Sequence, residues 1–172
     1  MRLSLILHLT LLLSMTVICQ ASVPETPEYV TVSDKSTLAA WLASHPEYRV
    51  AADRDCNCEA DIQSIRKGGG AWKPNPSYHP YYVSGDFNGD KKTDFAVILI
   101  NAKENGKRYL AIFNGPYKAG SNPVYLSPEE GALFYGQPRP KPYRLIVGDF
   151  GTEGASLEPK GNGYELVGDD SY

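Results

Sequence analysis

The sequence predicts an α+β domain with two N-terminal helices packed on a mostly antiparallel β-sheet, and three observations lead there. Apolar residues recur at helical spacing before residue 70 and take on strand character from Tyr81 onward. Between the two regions lies AWKPNPSYHPYY, whose three prolines no regular helix accommodates.

The elements follow in chain order. Residues 1–21 carry one charge, Arg2, and an apolar run that stops at Cys19, short for a membrane span. They read as a secretory signal peptide cleaved after Ala21, which makes the mature chain secreted or periplasmic, with no stable membrane span after cleavage. Ile18 argues against a lipidated Cys19, since a lipoprotein site wants a small residue there. Losing Arg2 leaves 16 basic against 20 acidic side chains, a formal net charge of −4 over 151 residues. That length suits one domain with a core of its own. Acidic and basic side chains are interspersed, and without a basic stripe the chain does not read as a nucleic-acid binder. Residues 22–32 form a Pro-containing leader without periodicity, expected to be loosely ordered. Residues 33–172 form the single domain.

In SDKSTLAAWLASHPEY, Leu38, Trp41, Leu42 and His45 share one helical face, Ser33 or Ser36 is placed to cap, and Pro46 marks the end. A second helix is expected over 58–67, capped by Asp55 or Asn57 and stopped by Gly68-Gly69-Gly70, with Cys58, Ile62 and Ile65 inward. The linker that follows is extended, and its rings, Trp72, Tyr78 and Tyr81 among them, either cover a sheet edge or form a recognition surface. Residues 95–100 are apolar on both faces, as in a central strand under a helix layer. Glu104-Asn105-Gly106-Lys107 reads as a two-residue hairpin turn that pairs Glu104 with Lys107, Leu99 with Ile112 and Ile98 with Phe113. Further strands are expected near 123–126, 143–147, 155–159 and 164–167, the last two joined at Gly161-Asn162-Gly163.

Most of the chemistry lies in GDFNGDKKTDFAV, residues 85–97. Asp86, Asn88, Asp90 and Asp94 occupy loop positions one, three, five and nine, and the Lys92 carbonyl falls at position seven. Alternate residues of a tight loop point inward, which is how a hard cation collects its six to eight oxygens. An EF-hand would need Glu at position twelve, where Val97 stands. The stretch instead resembles the calcium loop of FG-GAP and VCBS repeats, in which a strand ends in Gly-Asp-Phe-Asn-Gly-Asp, turns around the ion and re-enters the sheet. The resemblance spans about residues 85–114 and implies a Ca2+ site with side-chain oxygens from Asp86, Asn88, Asp90 and Asp94 and the carbonyl of Lys92. Those families build propellers from several blades, and one copy cannot close a propeller. Lys91 stands where the usual glycine would sit, so a left-handed backbone there costs about 1–2 kcal/mol. With its positive charge, this sets the expected affinity at roughly 0.1–1 mM. An Asx-stabilised turn that binds nothing is the alternative. A second Gly-Asp-Phe begins at Gly148, but the places matching the ligands hold Gly151, Glu153 and Leu157.

Cys56 and Cys58 are the cysteines of the mature chain. They read as a disulfide, within the chain or to another chain, as a redox-active pair at a helix start, or as half of a zinc site with His45 and His79. The zinc spacing matches no standard pattern. There is no Gly-x-Ser-x-Gly, His-Glu-x-x-His or phosphate-cradling loop. The function expected is an exported, non-catalytic binding or structural protein with a calcium loop and a protein or carbohydrate ligand. The alternatives are a thiol–disulfide protein acting through Cys56 and Cys58, or a hydrolase with a dispersed carboxylate site.

Overall fold

A computed structural model describes residues 26–70, 72–136, 144–151 and 154–169. The predicted signal peptide and its cleavage site lie outside the described residues. No described helix is long and apolar enough to cross a membrane.

The α+β class and the antiparallel pairing hold, but the two helices do not share a sheet. Helix α1 (Val32–Ser44) is followed by strand β1 (Tyr48–Val50), helix α2 (Glu59–Lys67), and strands β2 (Tyr82–Gly85), β3 (Asp94–Asn101), β4 (Lys107–Phe113) and β5 (Tyr125–Pro128). Strands β6 (Ala132–Tyr135), β7 (Leu145–Gly148), β8 (Gly154–Lys160) and β9 (Gly163–Asp169) complete the chain. The first sheet is ordered β1-β3-β4-β5, with β2 also paired to β3; the second is β6-β7-β8-β9.

Alternation along the strands explains the layering. On β3 the odd residues Phe95, Val97 and Leu99 join Leu38, Trp41 and Leu42 of α1, whereas Ala96, Ile98 and Ile100 meet Leu133, Leu145, Val147 and Leu157 of the second sheet. The outer face of that second sheet, at Ala132, Phe134 and Ile146, is covered by Ile62 and Ile65 of α2. The order of layers is therefore α1, first sheet, second sheet, α2. Both faces of β3 are buried along its whole length. Each large apolar side chain placed there contributes about 1.5–3 kcal/mol relative to exposure.

Several local expectations need correction. The segment before α1 is packed: Val30 is buried, Tyr29 stacks on His79, and Thr31, instead of Ser33 or Ser36, caps α1 by accepting the Asp34 N–H at 3.3 Å. His45 ends α1 stacked on Trp41. Helix α2 begins after Cys58, and Asp55, expected as its cap, instead accepts the Ala52 N–H and both Arg49 guanidinium nitrogens. The β3–β4 register lies three residues from the expected one: Leu99 faces Tyr109, Ile98 faces Leu110 and Phe95 faces Phe113. The cause is local, because a 3-10 turn over Ala102–Glu104, anchored by Asn101, takes up residues that a two-residue hairpin would leave in the strands. Asn105 and Gly106 still provide the left-handed corner, at φ 54° and 80°. Of the rings of the Pro-rich linker, Trp72 and Tyr78 cover the outer face of the second sheet, both stacked on Phe134, whereas Tyr81 is buried in the core between the two sheets.

Candidate metal centre

Strand β2 ends at Gly85, which pairs with Asp94 at the start of β3, so the intervening loop is the closed end of a β-hairpin. Its path is set by two left-handed residues, Gly89 at φ 78° and Lys91 at φ 66°. The side chains at the predicted ligand positions organise it. Asp86 accepts the Gly89 N–H at 2.7 Å through Oδ1 and the Lys91 N–H at 2.9 Å through Oδ2. Asn88 accepts the Asp90 N–H and Asp90 the Lys92 N–H, each at 2.9 Å. These are local Asx bonds, the reason Asp and Asn favour turns.

Asp94 differs because it is buried. Its Oδ2 accepts the Phe87 N–H at 2.9 Å and its Oδ1 the Gly115 N–H at 2.8 Å, joining the loop to the segment after β4. Burial pushes its carboxyl pKa up, the two N–H donors oppose that, and the negative charges of Asp90 and Asp86 add to the rise. The Lys92 N–H, helped by the Lys92 ammonium at 3.3 Å, holds Asp90 below the usual carboxylate range against the opposing effect of desolvation. Tyr164 donates to Asn114 Oδ1 at 2.8 Å, and its phenol is pushed up by burial and then by Asp94, with smaller effects from Asp86 and Asp90. On the other side, the Tyr135 hydroxyl donates to the Asp86 carbonyl at 2.8 Å. A Cβ at Gly85 would come within 2.2 Å of the Tyr135 ring, so this close approach requires glycine.

The fit to a calcium ion is mixed. The loop runs from the end of β2 to the start of β3, and Lys91, at loop position six, is left-handed. Each bonded carboxylate oxygen also keeps a second lone pair for a cation. Yet among the described residues no three His, Cys, Asp or Glu side chains already converge on one point. At the second Gly-Asp-Phe, Asp149 accepts the Gly151 N–H at 2.8 Å; Glu153 lies outside the described residues.

Cys56 and Cys58 are joined to each other in a disulfide. Neither of the two keeps a thiolate for zinc, and His45 and His79 are engaged elsewhere. His45 Nδ1 lies 2.8 Å from the Trp41 carbonyl, and His79 Nδ1 lies 3.0 Å from Asp53 Oδ2.

Two polar clusters escaped the sequence reading. Asp53 accepts Arg66 at 2.8 Å and contacts His79, with Tyr29 stacked on the imidazole at a centroid distance of 3.5 Å. Asp34, buried at the start of α1, accepts the hydroxyls of Tyr82, at 2.6 Å, and of Tyr117. The members of each cluster are separated by 13 to 83 residues, so no motif could announce them. His79 in its aromatic stretch was the nearest to a signal.

No protein-family profile matches the chain, and no curated protein or solved structure is significantly similar to it.

Proposed function

We propose that the protein is an exported, non-catalytic binding or structural domain whose 86–94 loop takes up calcium through Asp86, Asn88, Asp90 and Asp94 and the carbonyl of Lys92. The observation that carries this reading is Lys91 at φ 66°. A lysine is held in a left-handed backbone, at a cost of about 1–2 kcal/mol, at the loop position where the resembling repeats place glycine, and this supports the reading. The mutual repulsion of Asp86, Asp90 and Asp94 supports it, because a bound cation would relieve that repulsion. The ion's contribution is electrostatic: it ties the closed end of the β2–β3 hairpin and fixes the Asp86 carbonyl on which Tyr135 rests. Calorimetric titration with calcium tests the reading. One saturable site at submillimolar to millimolar affinity is expected for the wild type and none for Asp90→Ala; heat of dilution alone for the wild type would refute it.

A second reading, thiol–disulfide chemistry, draws support from the placement of the cystine. Asn57 and Cys58 line an open cavity of about 560 Å3 together with Arg54, Glu59 and Gln63, so an external thiol has a route to it. Exchange with a dithiol probe, lost in Cys58→Ser, would favour this reading over the first.

A further inference from the structure

The two halves of the Cys56–Cys58 disulfide face different surroundings. Cys56 packs against the core between the two sheets, whereas Cys58 packs against the cluster around α2 and lines the cavity of about 560 Å3. Small-ligand pockets run from about 300 to 1,000 Å3, so that volume suits a small molecule. Thiol–disulfide exchange goes to the sulfur that an incoming thiolate can reach. From this cavity it is Cys58 Sγ.

Two charges flank Cys58 in the chain and share its cavity. The side chains of Arg54 and Glu59 are exposed on the cavity wall, and among the described residues neither has a hydrogen bond or an ion pair. Asp55 feels the charge of Arg54, but both of its oxygens are already held by the Arg49 guanidinium. The other two ions of the wall neutralise each other, since Arg66 donates to Asp53 at 2.8 Å. The cavity therefore offers one uncompensated positive and one uncompensated negative charge beside the sulfur it exposes.

We propose that the disulfide exchanges with a small thiol that is also a zwitterionic amino acid, the class of free cysteine. This rests on the thiol–disulfide reading above and specifies its substrate. Arg54 attracts the α-carboxylate and Glu59 the α-ammonium, and together they bring the thiol to Cys58. The thiolate forms a bond to Cys58 Sγ, the Cys56–Cys58 bond breaks, and its electron pair leaves on Cys56 Sγ, which takes a proton from water. A second thiolate attacks the sulfur of the bound amino acid, releasing the Cys58 thiolate and the symmetrical disulfide of the amino acid. Two small thiols are thereby oxidised to one disulfide as the protein disulfide is reduced to two thiols, and the reverse reaction oxidises the protein.

The experiment compares initial rates of disulfide opening in residues 22–172 by cysteine, cysteamine, 3-mercaptopropionate and 2-mercaptoethanol. These thiols carry both charges, the ammonium alone, the carboxylate alone and neither. Opening is read by mass spectrometry after alkylation, and each rate is divided by the same thiol's rate on 2-hydroxyethyl disulfide, which removes differences in thiol pKa and nucleophilicity. At low salt the normalised rate is expected to rise about threefold for each charge, the scale of an exposed ion pair, and the advantage to shrink in about 1 M salt. Arg54→Gln should remove the gain due to the carboxylate alone, and Glu59→Gln the gain due to the ammonium alone. Both side chains are exposed, and circular dichroism confirms that the variants are folded. Equal normalised rates for the four thiols, or variants that slow all four alike, would overturn the amino-acid assignment and leave the thiol–disulfide reading standing. A disulfide that none of the four opens would refute both.

Discussion

Replacing Asp94 by alanine removes a buried carboxylate that holds the Phe87 and Gly115 N–H groups at 2.9 and 2.8 Å. Each donor left unsatisfied costs about 1–3 kcal/mol, more where burial is complete. Part of this is offset, because alanine also removes a charge that burial and the neighbouring Asp90 and Asp86 disfavour. The net loss is about 2–4 kcal/mol, which for a domain of this size lowers the melting temperature by roughly 6–12 °C. Asp94→Asn keeps one carbonyl acceptor and should lose about half as much. The pH dependence follows from the raised pKa. The stability linked to it is fully present below the ordinary aspartate value and is lost as pH rises through the higher folded one, so without calcium the gap between wild type and Asp94→Ala widens as pH is lowered through that range. Differential scanning calorimetry in chelator, at several pH values, measures it. A melting temperature for Asp94→Ala within a degree of wild type would refute the assignment of Asp94 as the anchor of the loop.

Lys91→Gly relieves the left-handed backbone, and after the added freedom of the unfolded chain is set against it the gain is about 0.5–1 kcal/mol in chelator; urea denaturation reads it. The Cys56–Cys58 disulfide closes a ring of only three residues, so chain entropy gives it about 1.6 kcal/mol. The doubly Ser-substituted protein should lose no more than that in urea and keep its fold, as judged by circular dichroism. Burial works against ionisation of Asp53, but His79 and Arg66 outweigh it and hold its pKa below the usual range. The stability linked to that depression is present above the ordinary aspartate value, roughly pH 4, and is lost as pH falls through the folded one. Asp53→Asn should therefore flatten the acid limb of the stability curve.

Legibility in the sequence followed how locally each feature is encoded. The 95–100 run was readable because six consecutive apolar residues suit a strand buried on both faces, and the Asn105-Gly106 corner because its backbone suits few other residues. The register was misread because the Asn101 side chain, through its bonds to Lys103 and Glu104, builds a turn that competes with a plain hairpin. Strand β1 is three residues long and β6 four, too short for a period to show. The split into two sheets was hidden because a strand facing a helix and a strand facing a sheet present the same alternation. The turn at 86–94 was legible because the Asp and Asn side chains that hold it lie within nine residues. The Asp53–Arg66–His79 cluster was not, since chain folding alone brings it together.

Calcium uptake by the 86–94 loop is read out by the melting temperature of residues 22–172 in chelator and in about 10 mM calcium, roughly 100-fold above a dissociation constant near 0.1 mM. Linkage gives about 2.7 kcal/mol at that ratio, a rise of roughly 5–10 °C. That rise is expected in the wild type and is expected to vanish in Asp90→Ala. Superimposable wild-type curves in calcium and chelator would contradict it and leave the 86–94 stretch an Asx-stabilised turn.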